Sequence, residues 1–435
     1  MLQAGFASSD ITPDVGMEMP GGFFKATGKG VRDRLIAAAC VLHDGTTPVA
    51  LVGIDALFID RSTVDAARRL IQAATRIPGS NVLIGANHTH TGGPMIRAAV
   101  DGGDPVYAGR VAKAIAEAVT TASQKLHAVE VGIATGHEGS ISFNRRFLMR
   151  DGREITHPGK PGTPHHKEIV APAGPIDPDV GVLAFRNPNG KVAGVFVNFA
   201  CHSTVVGGDQ FSPDYAGYLR KHLKAHYGED TAVGFLLGAC GDITQVDNMS
   251  TAREYGPEYA DMMGRKLAAE SVRVIGRAAW LKEAPLAVTN ETVALPYRSE
   301  TDFEAERPPF GLGSGEKVDE VYRKSREQLA EIRRKTPFVP AEVQAIRVGP
   351  LGIVTNGAEY FCEYALRIKR CSPFETTWFI SLANEWLGYV ATAQAFMGGG
   401  YEVRTGRGSR LAVHAGQKLL ETSLKALGKV APKAK

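Results

Sequence analysis

Two histidines one residue apart, His88 and His90, are the residues of this chain whose types and spacing most clearly suit chemistry. They lie in the sequence Asn-His-Thr-His-Thr-Gly-Gly at residues 87–93, directly after the apolar run 82–86. Because side chains two residues apart on a strand share a face, a buried strand over 82–86 would deliver both imidazoles to one point before a Gly-Gly turn. That arrangement forms half of a metal site. Two core-edge histidines with ordinary hydrogen bonds would show the same pattern.

Further candidate ligands follow other predicted strands. His202 comes after an apolar, β-branched run, Glu359 opens a predicted helix over residues 360–369, and Tyr389 follows a fourth predicted strand. In open α/β sheets, ligands bind beyond the carboxyl ends of strands. Histidine nitrogens and a carboxylate oxygen, with one position left for water, suit catalytic zinc. The sequence therefore predicts an α/β fold of mixed β-sheets flanked by helices, with a metal site at strand carboxyl ends.

The elements that must position these residues are visible in outline. Alternating patterns predict a hairpin of strands over 35–42 and 49–53, and helices over 63–74 and 105–125. An amphipathic helix over 410–427 is expected to face the core or a subunit.

Two stretches lack a regular pattern. Residues 151–178 are rich in proline, glycine and histidine and predict a long loop that shapes a site or is disordered. Residues 299–340 are strongly charged, with a glycine-rich break at 311–315 and a helix over 321–335. We expect this second stretch to be a surface insertion that serves as a lid or an oligomer contact, so a homo-oligomer is one expectation.

Length and composition indicate a soluble enzyme. With 435 residues and 44% hydrophobic content, the chain can bury a large core. Candidate ligands that span residues 88–389 can share one metal only if the chain folds as one unit. We therefore expect a single domain over residues 1–435.

Charge and hydropathy exclude some classes of partner. The net charge of +4 comes without a basic stripe, so nucleic acid is not expected. No apolar stretch of transmembrane length is present, and the start of the chain does not resemble a secretory leader, which predicts a cytoplasmic protein unless a leader has been removed. The five cysteines form no Cys-x-x-Cys pair and are expected to be free thiols, four of them buried.

Several ordered motifs carry a family resemblance. Asn-His-Thr-His-Thr-Gly at 87–92, Asn-Phe-Ala-Cys-His at 198–202, Ser-Pro-Asp-Tyr-Ala-Gly at 212–217 and Gly-Ala-Cys-Gly-Asp at 238–242 occur in this order. In these motifs the chain resembles the catalytic domain of the neutral/alkaline non-lysosomal ceramidase family, from about residue 4 to about residue 405. We therefore expect no counterpart of the family's carboxyl-terminal immunoglobulin-like domain in this chain.

The resemblance implies roles for particular residues. The family's zinc ligands match four residues here, with a water completing the site: His88, His202, Glu359 and Tyr389. His90 is expected to shuttle a proton or hold the transition state, and Arg145 to touch the substrate or to pair with an acid. Whether His90 also binds the metal, and whether the site holds one metal or two, stays open.

One position departs from the family pattern. Where ceramidases have Gly-Asp-Val-Ser-Pro-Asn, this chain has Thr244 and Gln245 in place of serine and proline. A role that requires serine therefore does not transfer directly, and neither does ceramide as substrate. We keep Thr244 as a candidate catalytic residue.

The expected function is zinc-dependent hydrolysis of an amide (N-acyl) bond by a metal-activated water. His90, Arg145, Thr244 and Tyr389 are the expected catalytic residues, and the substrate is a small N-acyl compound or a sphingolipid. Two alternatives remain: a metal-dependent esterase or lactonase on the same site, and a non-catalytic binding relative.

Other polar residues have ordinary interpretations. His222 and His226 share a predicted helix without the glutamate of a metalloprotease helix, and are expected to be solvated. The pair at 165–166 is expected to be exposed. Asp55 and Asp242 each end an apolar strand, where either could hold a metal-binding histidine or cap a turn.

Overall fold

A computed structural model gives the fold of this protein and describes residues 1–96, 103–299, 301–302, 306–307 and 310–432. The strands of these residues are β1 (Gln3–Asp10), β2 (Glu18–Met19), β3 (Ala26–Thr27), β4 (Gly30–Val31), β5 (Ile36–His43), β6 (Pro48–Ile54), β7 (Val82–Ala86), β8 (His127–Ala128), β9 (Glu130–His137), β10 (Phe143–Asn144), β11 (Arg146–Met149), β12 (Glu154–Thr156), β13 (Ile169–Pro172), β14 (Asp179–Arg186), β15 (Val192–Phe199), β16 (Gln210–Phe211), β17 (Ala232–Leu237), β18 (Ile243–Thr244), β19 (Trp280–Leu281), β20 (Leu286–Pro296), β21 (Phe338–Val348), β22 (Leu351–Thr355), β23 (Ala358–Tyr360), β24 (Thr376–Ile380) and β25 (Gly388–Val390). The α-helices are α1 (Arg61–Thr75), α2 (Pro105–Gln124), α3 (Tyr215–Tyr227), α4 (Pro257–Ile275), α5 (Glu316–Lys335), α6 (Cys362–Cys371), α7 (Ala393–Gly398) and α8 (Ala415–Val430).

Three larger sheets share one pattern of connections. Their strand orders are β7-β6-β5-β1-β8 for sheet one, β17-β15-β14-β9-β19 for sheet two and β20-β21-β22-β24 for sheet three. Each contains an antiparallel hairpin whose second strand crosses over through a helix to a parallel neighbour: β5-β6-α1-β7, β14-β15-α3-β17 and β21-β22-α6-β24. The predicted fold class, mixed sheets flanked by helices, is confirmed.

The three crossover units pack against one another at their parallel strands. A Cβ at Gly53 would lie only 2.3 Å from the Phe235 carbonyl oxygen, so glycine is required where sheets one and two meet. Sheet one joins the end of β24 through a bridge between Gly85 and Ala383. The carboxyl ends of these strands therefore come close together, as the sequence predicts for a shared site.

Helices cover the outer faces of the sheets. Helices α1 and α2 pack on sheet one, α3 and α4 on sheet two, and α8 on sheet three. The last of these is the predicted amphipathic helix; it begins five residues later than expected and buries Leu419 and Leu427 in the core. None of the helices formed by the described residues combines the length and hydropathy that crossing a bilayer requires.

Several local predictions need correction. The stretch 151–178 is not one long loop, because β12 and β13 pair with β11 into a small sheet. Glu359 does not open a helix: it lies in β23, which pairs in parallel with β25. The insertion helix α5 begins at residue 316, because Gly315 has a φ of 108° and two acidic residues occupy the first turn. Residues 300, 303–305 and 308–309 of the insertion lie outside the described residues.

We expect Asn384→Ala to lower the free energy of unfolding by about 2–4 kcal/mol. The buried Asn384 amide accepts from the Ile84 N–H at 3.0 Å and donates to Glu342 and Gln344 at 2.9 and 3.0 Å, from a backbone φ of 65°. Its loss removes these partners of the Ile84 N–H and of Gln344 in the core, whereas Glu342 keeps its pair with Arg68. Denaturant unfolding would measure the change; the exposed control Asn189→Ala should shift stability by only about 0.5 kcal/mol, and equal effects would contradict the prediction.

Candidate metal centre and active site

His88 and His90 extend from the end of β7 with their rings fixed by backbone carbonyls. His88 has a φ of 66°, an uncommon conformation for a residue other than glycine that often marks a functional site. Its Nδ1 lies 3.0 Å from the Leu57 oxygen, and Nδ1 of His90 lies 2.6 Å from the Gly21 oxygen. A side chain at Gly21 is excluded, because a Cβ there would lie 2.3 Å from the His90 oxygen.

The ring of His202, on sheet two, is also held by a backbone carbonyl. It comes three residues after β15, and its Nδ1 lies 2.5 Å from the carbonyl oxygen of Cys240, beyond the end of β17. An imidazole whose Nδ1 faces a carbonyl carries its proton there and presents a free electron pair on Nε2. Each of the three histidines is therefore held in the tautomer that binds a metal through Nε2.

The free nitrogens converge with one carboxylate. Nε2 of His88 lies 3.4 Å from Oε2 of Glu359, and Nε2 of His202 lies 3.7 Å from the same oxygen. The candidate ligand atoms of His88, His90 and His202 all lie within 4.8 Å of one another. Among the described residues, Nε2 of His88, Nε2 of His90 and Oε2 of Glu359 are buried without a hydrogen-bond partner. Buried polar atoms without partners are costly, so this cluster fits a bound cation.

Glu359 is brought to the histidines by a close approach of two chain segments. A Cβ at Gly241 would lie 2.4 Å from the Glu359 carbonyl oxygen, so only glycine allows this contact. In β23, Glu359 stands directly opposite Tyr389 of β25, and the Trp386 indole N–H lies 3.5 Å from Oε1 of Glu359. The pairing of these two short strands puts the acid and the tyrosine at the same point.

Arg145 and Tyr389 complete one side of the centre. The Tyr389 hydroxyl lies 3.5 Å from Nε2 of His202 and accepts from Nη2 of Arg145 at 3.1 Å. Arg145 also donates to Glu402 at 2.8 Å and to the Gly241 oxygen at 2.7 Å. Arg145 therefore pairs with an acid, one of its two expected roles, and also lines the cavity, where its contact with substrate stays a prediction.

The protonation states also suit a metal. Burial, with a contribution from the neighbouring His88, lowers the pKa of His90 to about 3. Burial and then the charge of Arg145 lower the pKa of His202 well below its usual value. Burial alone would raise the pKa of Glu359, but the imidazoles of His202 and His88 beside it hold that pKa below its usual range. Neutral imidazoles beside an ionised carboxylate are the form that metal ligands require.

Of the remaining sequence candidates, Thr244 lies at the cavity, whereas His222 and His165 lie on the surface. Thr244 lines the same cavity as the histidines, and its hydroxyl donates to Oε1 of Gln245 at 3.1 Å. His222 instead contacts Asp261 at 3.1 Å on the surface of α3 and α4. The exposed His165 packs against Phe310, with ring centroids 4.7 Å apart.

Asp55 and Asp242 make no hydrogen bond to a histidine within the described residues. Asp55 pairs with Arg220 at 2.6 Å and accepts from Asn87 at 2.8 Å. Asp242 accepts from the Cys362 N–H at 2.8 Å, near the start of α6. The hypothesis that either acid holds a metal-binding histidine is therefore wrong, because the backbone carbonyls described above take that role.

Two residues of the site were missed from the sequence. Tyr401 lines the cavity, and Glu402 is fully buried against Arg145. Both follow the glycine run at 398–400, which reads locally as a flexible turn. No periodic pattern marks them, because the partner of Glu402 is 257 residues away along the chain.

The five cysteines are free thiols, as expected. Cys40, Cys201, Cys240 and Cys362 are buried and Cys371 is exposed. Burial raises the pKa of the Cys201 and Cys240 thiols well above its usual value, which disfavours thiolate ligation.

Comparison with known proteins gives a consistent result. No family model matches the chain. Its sequence is 22% identical to the neutral ceramidase of Pseudomonas aeruginosa over 92% of this chain and 68% of that protein. The chain is therefore similar to a neutral ceramidase along most of its length. The fold of the chain matches a solved ceramidase complexed with C2, with a TM-score of 0.76 at 17% identity, over 100% of this chain and 76% of that one. It also matches the crystal structure of the Pseudomonas aeruginosa neutral ceramidase, with a TM-score of 0.74 at 18% identity over the same shares of the two chains.

We expect His202→Ala to remove the bound metal and His222→Ala to retain it. His202 presents Nε2 to the centre, whereas His222 only contacts Asp261 on the surface. Metal content per chain, measured by elemental analysis after dialysis, should fall from about one to near zero in the first variant only. Equal loss in both variants would show that the metal lies elsewhere.

Proposed function

We propose that the protein is a zinc-dependent hydrolase that cleaves an uncharged N-acyl amide. The observation that carries this proposal is the convergence of three histidine nitrogens, two of them without a hydrogen-bond partner, and one carboxylate beside a cavity of about 500 Å³. Nitrogen ligands with a single carboxylate favour zinc over magnesium or calcium. The likeness to neutral ceramidases, which act on an amide, supports the same reaction class.

The ligand set that we propose is His88, His202, Glu359 and Tyr389. When bound, zinc supplies a Lewis acid that polarises a carbonyl and lowers the pKa of water towards neutrality. The Tyr389 hydroxyl accepts from Nη2 of Arg145 at 3.1 Å, and both residues line the cavity. We assign to them the stabilisation of negative charge on the substrate oxygen.

His90 is the residue we assign to proton transfer. Its Nδ1 is committed to the Gly21 oxygen at 2.6 Å, while its Nε2 is buried without a partner beside His88. A neutral imidazole in this position can accept a proton at Nε2 and pass it to the departing amine.

The cavity favours uncharged substrates. Among its described lining residues, only Arg145 and Glu359 carry a formal charge, and both are used by the centre. Part of the remaining lining is apolar or aromatic, including Leu57, Phe58 and Phe23. A charged group would lose its hydration here without gaining a partner.

The substrate class can be tested with a panel. Zinc-loaded protein should hydrolyse N-acyl amides of neutral amines, with a short-chain ceramide as one member, and should discriminate against amides that carry a charged group near the scissile bond. Matched esters with the same acyl chains serve as the comparison. Faster turnover of every ester than of its amide would favour the esterase alternative, and no turnover with zinc bound would favour a binding protein.

Thr244 tests the choice of nucleophile. Its hydroxyl proton is donated to an amide oxygen, which cannot act as a base, so a water rather than Thr244 should attack the substrate. Thr244→Ser should keep kcat/KM within about tenfold, a barrier change of about 1.4 kcal/mol. Thr244→Ala should lose somewhat more, but far less than His202→Ala, because one hydrogen bond is worth about 0.5–1.5 kcal/mol. Loss of all turnover in Thr244→Ala with zinc retained, or an acyl group trapped on Thr244, would overturn this assignment.

A further inference from the structure

An aromatic wall leads from the metal centre to helix α5. The ring of Tyr389 lies 5.5 Å from that of Tyr401, and Phe23 lies 5.7 Å from Tyr401 and 6.1 Å from Tyr322. All four residues line the cavity, and Tyr322 belongs to α5. Aromatic rings packed edge to face or tilted against one another offer a largely apolar surface, so a chain attached to a carbonyl at the centre can follow them to Tyr322.

Tyr322 is held in place by a buried arginine. The Arg404 guanidinium carbon lies 3.9 Å from the centre of the Tyr322 ring. The same guanidinium donates to Asp319 at 2.7 Å and to the Gly313 oxygen, and Arg404 is only 5% exposed. Because Asp319 and Tyr322 are on the same helix, Arg404 fixes both the position of α5 and the direction of the tyrosine ring.

A second contact fixes the next turn of α5. The Arg407 N–H donates to Oγ of Ser325 at 2.8 Å, and a Cβ at Gly406 would lie 2.8 Å from the same oxygen. Ser325 is buried and lines the cavity one turn beyond Tyr322. The helix therefore closes this end of the cavity as a packed element and not as a loose flap.

The opposite face of α5 is a solvated surface. Arg323, the residue after Tyr322, pairs with Glu320 and Glu327, and all three side chains are about half exposed or more. The cavity face and the solvent face of the helix can thus be altered independently, which provides a matched control.

We propose that Tyr322 is a specificity-determining residue that sets the maximum length of the apolar chain accepted by the cavity. The proposal rests on the proposed function only for which bond of the substrate is cut; the length limit itself is a property of binding. Chains short enough to end before Tyr322 bury every methylene against the aromatic wall. Longer chains must displace the ring from Arg404 or leave the cavity.

Binding of straight-chain fatty acids tests the length limit without turnover, because the proposed zinc would supply the partner that a carboxylate otherwise lacks in this cavity. Titration calorimetry of the metal-loaded protein with saturated acids from butyric to palmitic acid should show a Kd that tightens about fourfold per added methylene, up to a break point. Beyond the break point, Kd should level off or weaken. Tyr322→Ala should move the break point to longer acids, and Arg404→Gln should move it in the same direction, because the ring loses its anchor.

Two control variants make the result specific. Tyr322→Phe keeps the ring and should keep the break point, and Arg323→Ala on the solvent face should leave it unchanged. If Tyr322→Ala fails to fold, as judged by circular dichroism, Tyr322→Leu replaces it and should give a smaller shift in the same direction.

The outcomes separate this proposal from the proposed function. An unchanged break point in folded Tyr322→Ala or Tyr322→Leu, an equal shift in Arg323→Ala, or no binding of any acid to the parent protein would each overturn it. A break point that moves as expected in a protein that hydrolyses no amide would support the length limit and contradict the hydrolase.

Discussion

The site depends on one repeated interaction, the hydrogen bond between a histidine Nδ1 and a backbone carbonyl. The three carbonyls belong to Leu57 after β6, Gly21 in the amino-terminal segment and Cys240 after β17. The His88 and His202 bonds each join the ends of two neighbouring strands of one sheet, so each sheet orients its own ring, and the packing of sheets one and two brings the rings together. The same bonds fix the tautomer, so Nε2 is free for a metal. Folding and metal affinity are therefore coupled through the backbone and not through a carboxylate beside each ring.

A network of buried ion pairs connects the metal centre to the cavity wall. Glu402 accepts from Arg145 through one oxygen at 2.8 Å and from Arg146 through the other at 2.6 Å, and Arg146 also pairs with Glu154. All four side chains are buried. Removing any one of them would therefore leave an uncompensated charge in the core and lower the free energy of unfolding. Glu402 lies next to Tyr401 and two residues before Arg404. One short segment thus anchors the arginine of the centre, an aromatic ring of the wall and the helix that closes the cavity.

Sequence patterns predict the strands and helices that are encoded by neighbouring residues. They miss those that form only by pairing with a distant segment. The strand before His88 is encoded by a five-residue apolar run, and β7 lies where that run predicts. Glu359 was wrongly assigned to a helix start, because β23 is three residues long and is defined by its pairing with β25. A strand that short has no periodic signature. The prediction of a single domain is not tested by these contacts and stays a prediction.

The departure at Thr244 and Gln245 has a structural account. Oε1 of Gln245 accepts from the hydroxyls of Thr204 and Thr244, each at 3.1 Å, and its Nε2 donates to the Glu254 oxygen at 3.3 Å. A proline at this position could make none of these side-chain bonds, so the glutamine joins three segments of the cavity wall that a proline would leave unconnected. The proposed ligands match the motifs in which the chain resembles ceramidases, whereas Thr244 and Gln245 of the neighbouring wall do not. A shared reaction with a different choice of substrate is the combination that such a division favours, because chemistry depends on the centre and selectivity on the walls.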